Sequence, residues 1–150
     1  MERLPVDPSY APWTCNVPYP GVSRQRCDLC FGTGPQWDWA IELKLLRMLG
    51  DNGKPNDNMI THILSPYPIH RSAFTDCEKL VASNLPGNKA VVIFGYDYDQ
   101  YPMEPAIETF ELLCSARLQL GQLIAARFDG LTHPVHHRGA VFGWTVDRRY

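Results

Sequence analysis

Asp28, Glu42 and Lys44 are the residues whose types and spacing could do chemistry together. Glu42 and Lys44 stand two apart in the stretch DWAIELK, residues 38–44, where Trp39, Ile41, Leu43 and Leu45 make an apolar row at every second position. A period of two is that of a strand, and residues two apart project from the same face with roots about 7 Å apart. The apolar row predicts that the strand is anchored in a core through that side, so that Glu42 and Lys44 are held at fixed spacing on the other. Asp28 lies on the preceding segment, residues 22–31, where it would share a face with Arg26 and Cys30 while Cys27 and Leu29 take the opposite one. If the two segments pair antiparallel, Asp28 comes near Glu42. Two carboxylates that close repel unless a cation sits between them. A hard divalent ion, Mg²⁺ or Mn²⁺, suits such oxygen ligands, and the main-chain carbonyl of Leu43 could add a third. An ion held there acidifies bound water and polarises a phosphate oxygen, and Lys44 can orient that water or stabilise developing charge. The plainer alternative is a solvated strand face with Asp28 in a turn.

These residues need a scaffold, and the chain supplies its signals in order. Residues 1–21 carry five prolines and no periodic segment, which predicts an extended arm, packed on the body or partly mobile. Residues 22–150 read as a single α/β domain, long enough to close one core. The segment 22–31 and the strand from Trp37 form a hairpin across the turn at residues 32–35. Residues 50–58 are loop by composition, and the proline-containing apolar run at 60–69 is irregular or a short turn of helix. Ser72 caps a helix whose apolar face is Phe74, Cys77, Leu80 and Val81, and Pro86-Gly87 ends it. The run Ala90–Phe94 is apolar on both sides, which predicts a central strand with helices on both faces. A second helix is predicted over residues 103–128, with Ile107, Phe110, Leu113 and Cys114 buried and Arg117 facing solvent or a ligand. Residues 139–147 form a final strand. The fold class is α/β, a mixed central sheet flanked by helices.

An Asp, then a hairpin, then Glu-x-Lys on an apolar-backed strand resembles the PD-(D/E)XK nuclease superfamily, with Asp28, Glu42 and Lys44 at the matching positions. The resemblance covers roughly residues 22–95. It implies a restriction-endonuclease-like core and a metal-dependent phosphodiesterase acting on nucleic acid, DNA foremost. Asp28 and Glu42 would hold Mg²⁺ and Lys44 would assist the attacking water. Cys27 stands where the family name implies proline. The family's N-terminal helix has no counterpart in the proline-rich arm, so a homodimer or a partner protein supplying that helix is expected, or a catalytically inactive binding or assembly module. Arg26, Arg47, Arg71 and Ser72 are the expected nucleic-acid contacts, with Arg24 and Lys54 lining the approach.

Other groupings carry less. Cys27 and Cys30 form a Cys-x-x-Cys with no second ligand pair at tight spacing, so a zinc site or a redox pair is disfavoured. His133, His136 and His137 lie in a proline-containing loop, where packing is favoured over surface or nucleic-acid contact and both over metal. Asp97 and Asp99 read as a polar strand exit. Apolar residues are 45% and charged residues 20%, a globular balance. A net charge of −2 argues against a broad basic surface but allows a local basic groove. Five cysteines, no export signal and no apolar run of membrane-spanning length predict reduced thiols in a cytoplasmic protein with no membrane partner.

Overall fold

The computed structural model describes residues 12–150. The proline-rich arm was drawn over residues 1–21; its first eleven residues lie outside the described ones, while Trp13–Pro18 is the edge strand β1 of the sheet. Strand β2 (Arg26–Thr33) returns antiparallel to it, and β3 (Gln36–Leu46) follows across a tight turn. The chain then crosses over through α1 (Met59–Leu64), a 3₁₀ turn and α2 (Ala73–Ala82) into β4 (Asn88–Tyr96), which runs parallel to β3. Helix α3 (Glu104–Arg117) leads to β5 (Leu118–Leu120), β6 (Ile124–Phe128) and β7 (Gly139–Arg148). The seven strands form one mixed sheet in the order β1-β2-β3-β4-β7, with β5 and β6 both on the outer edge of β7.

Two expectations about elements are corrected. The second helix stops at Arg117 rather than continuing to residue 128, and residues 118–128 become the two short strands. The free edge of β7 offers its backbone a ladder there, which outweighs local helical preference. Leu113, expected to be buried, is 39% exposed, whereas Ile107, Phe110 and Cys114 are buried as their spacing predicts. Arg117 faces outward, paired with Glu78 at 3.0 Å.

The larger correction concerns which face of the sheet is inside. All three helices pack on one side, and their apolar faces share a core with Leu46, Val91, Ile93, Phe142, Trp144 and Val146. On β3 the inward row is Ala40, Glu42, Lys44 and Leu46, with Glu42 only 2% exposed. The row Trp39, Ile41, Leu43, Leu45 lies on the open face, half-buried to exposed. Likewise β4 buries Val91 and Ile93 toward the helices and leaves Phe94 39% exposed, so helices cover only one of its faces. Register carries this open face across the sheet: Leu43 lies beside Val92, then Gly143, then Ile124, and Leu45 beside Phe94, then Val141, then Ala126.

Gly87 shows how tightly the crossover is tied to the hairpin. It ends the segment after α2 at φ +86°, and a Cβ there would stand 2.2 Å from the Trp37 carbonyl oxygen and 2.7 Å from the Asp38 carbonyl carbon. Positive φ costs an L-residue about 1–2 kcal/mol, and the backbone contact adds to it. Gly87→Ala is therefore expected to lower stability by at least about 3 kcal/mol in urea denaturation.

Candidate functional site

The inward row of β3 meets the buried side of α2, and the charges of the two elements close on one another. Ser72 starts α2 as its N-cap, accepting from the Thr75 N–H at 3.1 Å, and this fixes where the first turns of the helix sit over β3. Asp76 and Lys79, one helical turn apart, then point at the strand. Lys79 Nζ lies 2.9 Å from Glu42 Oε1 and 3.0 Å from Asp76 Oδ1. Lys44 Nζ lies 2.6 Å from Asp76 Oδ2 and donates to the Arg71 carbonyl at 2.7 Å. Tyr19 closes the other side, its hydroxyl donating to Glu42 Oε1. The chain Lys44–Asp76–Lys79–Glu42–Tyr19 is thus continuous, with two acidic and two basic members.

Asp28 enters from β2. The ladder between β2 and β3 ends at the Leu29–Ile41 pair, and beyond it the Asp28 carboxylate replaces the backbone, with Oδ2 accepting from the Leu43 N–H at 2.8 Å. A strand residue's N–H and C=O leave on the same side. The Leu43 carbonyl therefore also leaves toward the gap that β2 has vacated. Opposite Asp28 on β1 stands Asn16, at φ 56°. Cys27 and Cys30 are both fully buried in one cluster with Val17 and Tyr19, which corrects the expectation that the two thiols face opposite sides of the sheet. Burial pushes the Cys27 thiol up, and the Glu42 carboxylate adds to that rise. Neither thiol has the exposure or low pKa of a reactive one.

Together these residues line a cleft of about 450 Å³, with Asp28, Glu42, Leu43, Lys44, Asp76 and Lys79 on its floor. Arg24, Arg26 and Arg71 form its rim. Five of the fourteen lysines and arginines of an acidic protein thus surround one opening. Arg24 and Arg71 hold φ values of 74° and 47°. Left-handed backbone is strained for such side chains, and strain of this kind gathers at binding and catalytic sites.

Burial dominates the electrostatics of Glu42. It pushes the carboxyl up to about 7, against the hydrogen bond from Tyr19 and the hydrogen bond and charge of Lys79, which pull it down. Lys79 moves the other way: burial alone would lower it, but the Glu42 and Asp76 carboxylates outweigh that and hold it above its ordinary value.

Asp28, Glu42, Leu43 and Lys44 are brought to one cleft, and Arg24, Arg26 and Arg71 to its rim. Arg47 and Ser72 are not contacts of this kind. Arg47 sits past the end of β3, paired with Asp51 at 2.9 Å, and Lys54 lies in the adjoining loop. Ser72 is fully buried, its hydroxyl donating to the Ser65 carbonyl while it caps α2. Asp76 and Lys79 were missed by sequence reasoning. Their signal was an ion pair three apart on a helix whose neighbours Ala73, Phe74, Cys77 and Leu80 all face the core.

A second cluster, Asp51, His133 and His136, has the residue types of a metal site. Its hydrogen bonds give it another character. His133 Nδ1 accepts from the N–H groups of Val135 and His136, which places the ring proton on Nε2 and makes that nitrogen a donor. His136 is engaged at both nitrogens, by the Tyr98 hydroxyl at 2.6 Å and Asp51 at 3.0 Å, and is stacked between Tyr96 and His133. His133 and His136 are held by packing and hydrogen bonds, their ligand atoms and that of Asp51 lying within 4.8 Å of one another, while His137 is exposed. Among the described residues no helix is long and apolar enough to cross a membrane. Comparison with protein-family models, with curated proteins and with solved structures finds no match to the chain, so what the cleft does rests on its own geometry.

Proposed function

We propose that the protein is a metal-dependent phosphodiesterase acting on nucleic acid, with its reaction centre in the cleft between β2, β3 and α2. The observation that carries this reading is a pair of carboxylates with one oxygen each to spare, inside a ring of cations. Asp28 uses Oδ2 on the Leu43 N–H, and Glu42 uses Oε1 on Tyr19 and Lys79. Asp28 Oδ1 and Glu42 Oε2 have no hydrogen-bond partner among the described residues, and the Leu43 carbonyl leaves toward the same gap. Three oxygens of this kind fit a hard divalent ion such as Mg²⁺ or Mn²⁺. When bound, that ion would supply an acidified water and a polarised phosphate oxygen. The succession of β1, β2, β3, a helical crossover and a parallel β4 is in keeping with a restriction-endonuclease-like core and supports the same assignment.

The chain's own residues would then divide the work. Arg24, Arg26 and Arg71 attract and orient the phosphate backbone of the substrate. Lys44 has two of its three ammonium hydrogens committed, to Asp76 and the Arg71 carbonyl, which aims the third into the cleft. That hydrogen can orient a water or stabilise charge on a non-bridging oxygen. Tyr19 and Lys79 fix Glu42 in one rotamer, and Asp76 holds both lysines.

A second reading, a binding module of the same fold without turnover, is favoured by one feature: Lys79 already neutralises Glu42. Incubation of the purified protein with plasmid DNA or single-stranded RNA and Mg²⁺ or Mn²⁺ separates the two. The expected result is metal-dependent nicking that Lys44→Ala reduces at least about 100-fold with an unchanged circular dichroism spectrum. Nucleic-acid binding without cleavage supports the binding module. Cleavage that survives both Asp28→Asn and Lys44→Ala excludes this centre.

A further inference from the structure

The face of the sheet opposite the cleft is apolar and, among the described residues, uncovered. Its two middle rows, Leu43–Val92–Gly143–Ile124 and Leu45–Phe94–Val141–Ala126, contain no charged or hydrogen-bonding side chain. Ile41 and Trp39 extend it along β3, and Leu29 and Phe31 lie beside them on β2. Leu43, Leu45, Phe94 and Val141 are each 36–39% exposed and Ile124 76%. Soluble monomers seldom leave a contiguous apolar patch of more than a few hundred Å² open.

We infer that this face is the interface of a homodimer, in which the sheets of two copies of this chain stack face to face. Area is the first argument. The five strands named, each about 4.8 Å wide, and about eight residues of 3.3 Å give roughly 630 Å² per protomer, against the roughly 800 Å² per partner of a stable interface. Charge is the second. A face with no charged side chain in its middle rows offers no pattern by which a different partner would be chosen, and it sets no like charge against itself when two copies meet. Two such sheet faces pack about 10 Å apart, as the layers of a β-sandwich do, and a two-fold axis closes the assembly at two. The cleft is on the helix-covered side, so association leaves both clefts open, and this inference stands whether or not the cleft is a nuclease centre.

Sedimentation equilibrium on the full chain at tens of micromolar tests it. The expected particle has twice the 17.1 kDa chain mass. Phe94→Glu is expected to weaken association at least about 100-fold and give the single-chain mass, because its charge would be buried without a partner in the stacked sheets. Val141→Arg, on a different strand of the same face, gives the same result should Phe94→Glu fail to fold by circular dichroism. A wild-type chain that is monomeric at this concentration overturns the inference. That includes the case in which association begins only after residues 1–11 are deleted, since the chain would then cover its own face. A dimer that persists in both folded variants overturns it as well.

Discussion

Glu42→Gln is expected to lower the single-turnover rate of metal-dependent cleavage by roughly 10³-fold or more, while nucleic-acid affinity stays within a few-fold of wild type. Glutamine keeps the volume of the side chain and an oxygen for the Tyr19 hydroxyl and the Lys79 ammonium. What it removes is the negative charge on the oxygen that faces the cleft. Divalent-ion catalysis contributes several kcal/mol to the barrier, and each 1.36 kcal/mol is a factor of ten in rate. In the proposed reading binding depends instead on Arg24, Arg26, Arg71 and Lys44, none of which pairs with Glu42. Rates on end-labelled substrate under enzyme excess, with filter binding of the same substrate in EDTA, separate the two effects. A variant that cleaves within tenfold of wild type removes Glu42 from the ion and the proposed mechanism with it.

How much of this was legible in the sequence depends on the residue. The spacing of Glu42 and Lys44 identified a shared strand face, and the Asp28 hairpin identified its neighbour, because alternation and turn chemistry are local properties. Ser72 as a helix cap was legible for the same reason. The orientation of the strand was not. An apolar row usually faces a core, so Trp39, Ile41, Leu43 and Leu45 were placed inside, yet they form the open face and Glu42 is the buried residue. The inversion has a physical cause in α2, which brings Lys79 and Asp76 over the strand and satisfies charges that alternation alone would send to solvent. Strand β4 was misread with it, since a continuous apolar run looks the same whether one face or both are covered. Residues 118–128 were read as helix because their pairing partner, the edge of β7, lies some twenty residues downstream and leaves no local trace.

Glu42→Gln is also expected to make the metal-free protein more stable, and the gain should depend on pH in a particular way. Burial raises the Glu42 carboxyl from 4.5 to about 7. Between those values the folded state holds a proton that the unfolded state has released, so the stability of the wild type falls as pH rises across this window. Below pH 4.5 the side chain is protonated in both states and resembles glutamine, and the two proteins should differ little. Above pH 7 the folded protein carries a carboxylate that its surroundings disfavour, a cost of about 3 kcal/mol at 1.36 kcal/mol per unit, which the variant escapes. The corresponding rise in Tm is roughly 10 °C for a chain of this length. The other titrating groups are common to both proteins, and Lys79 keeps Asp76 as a partner in the variant, so the difference between the two pH profiles reads chiefly Glu42. Thermal melts in EDTA from pH 4.5 to 8.5 measure it. A gain of this size on removing the charge is in keeping with the proposed role of Glu42 as an ion ligand. A variant no more stable than wild type at pH 8 would mean that Lys79 and Tyr19 fully compensate the buried carboxylate, and Glu42 would then be an ordinary member of a structural ion-pair network.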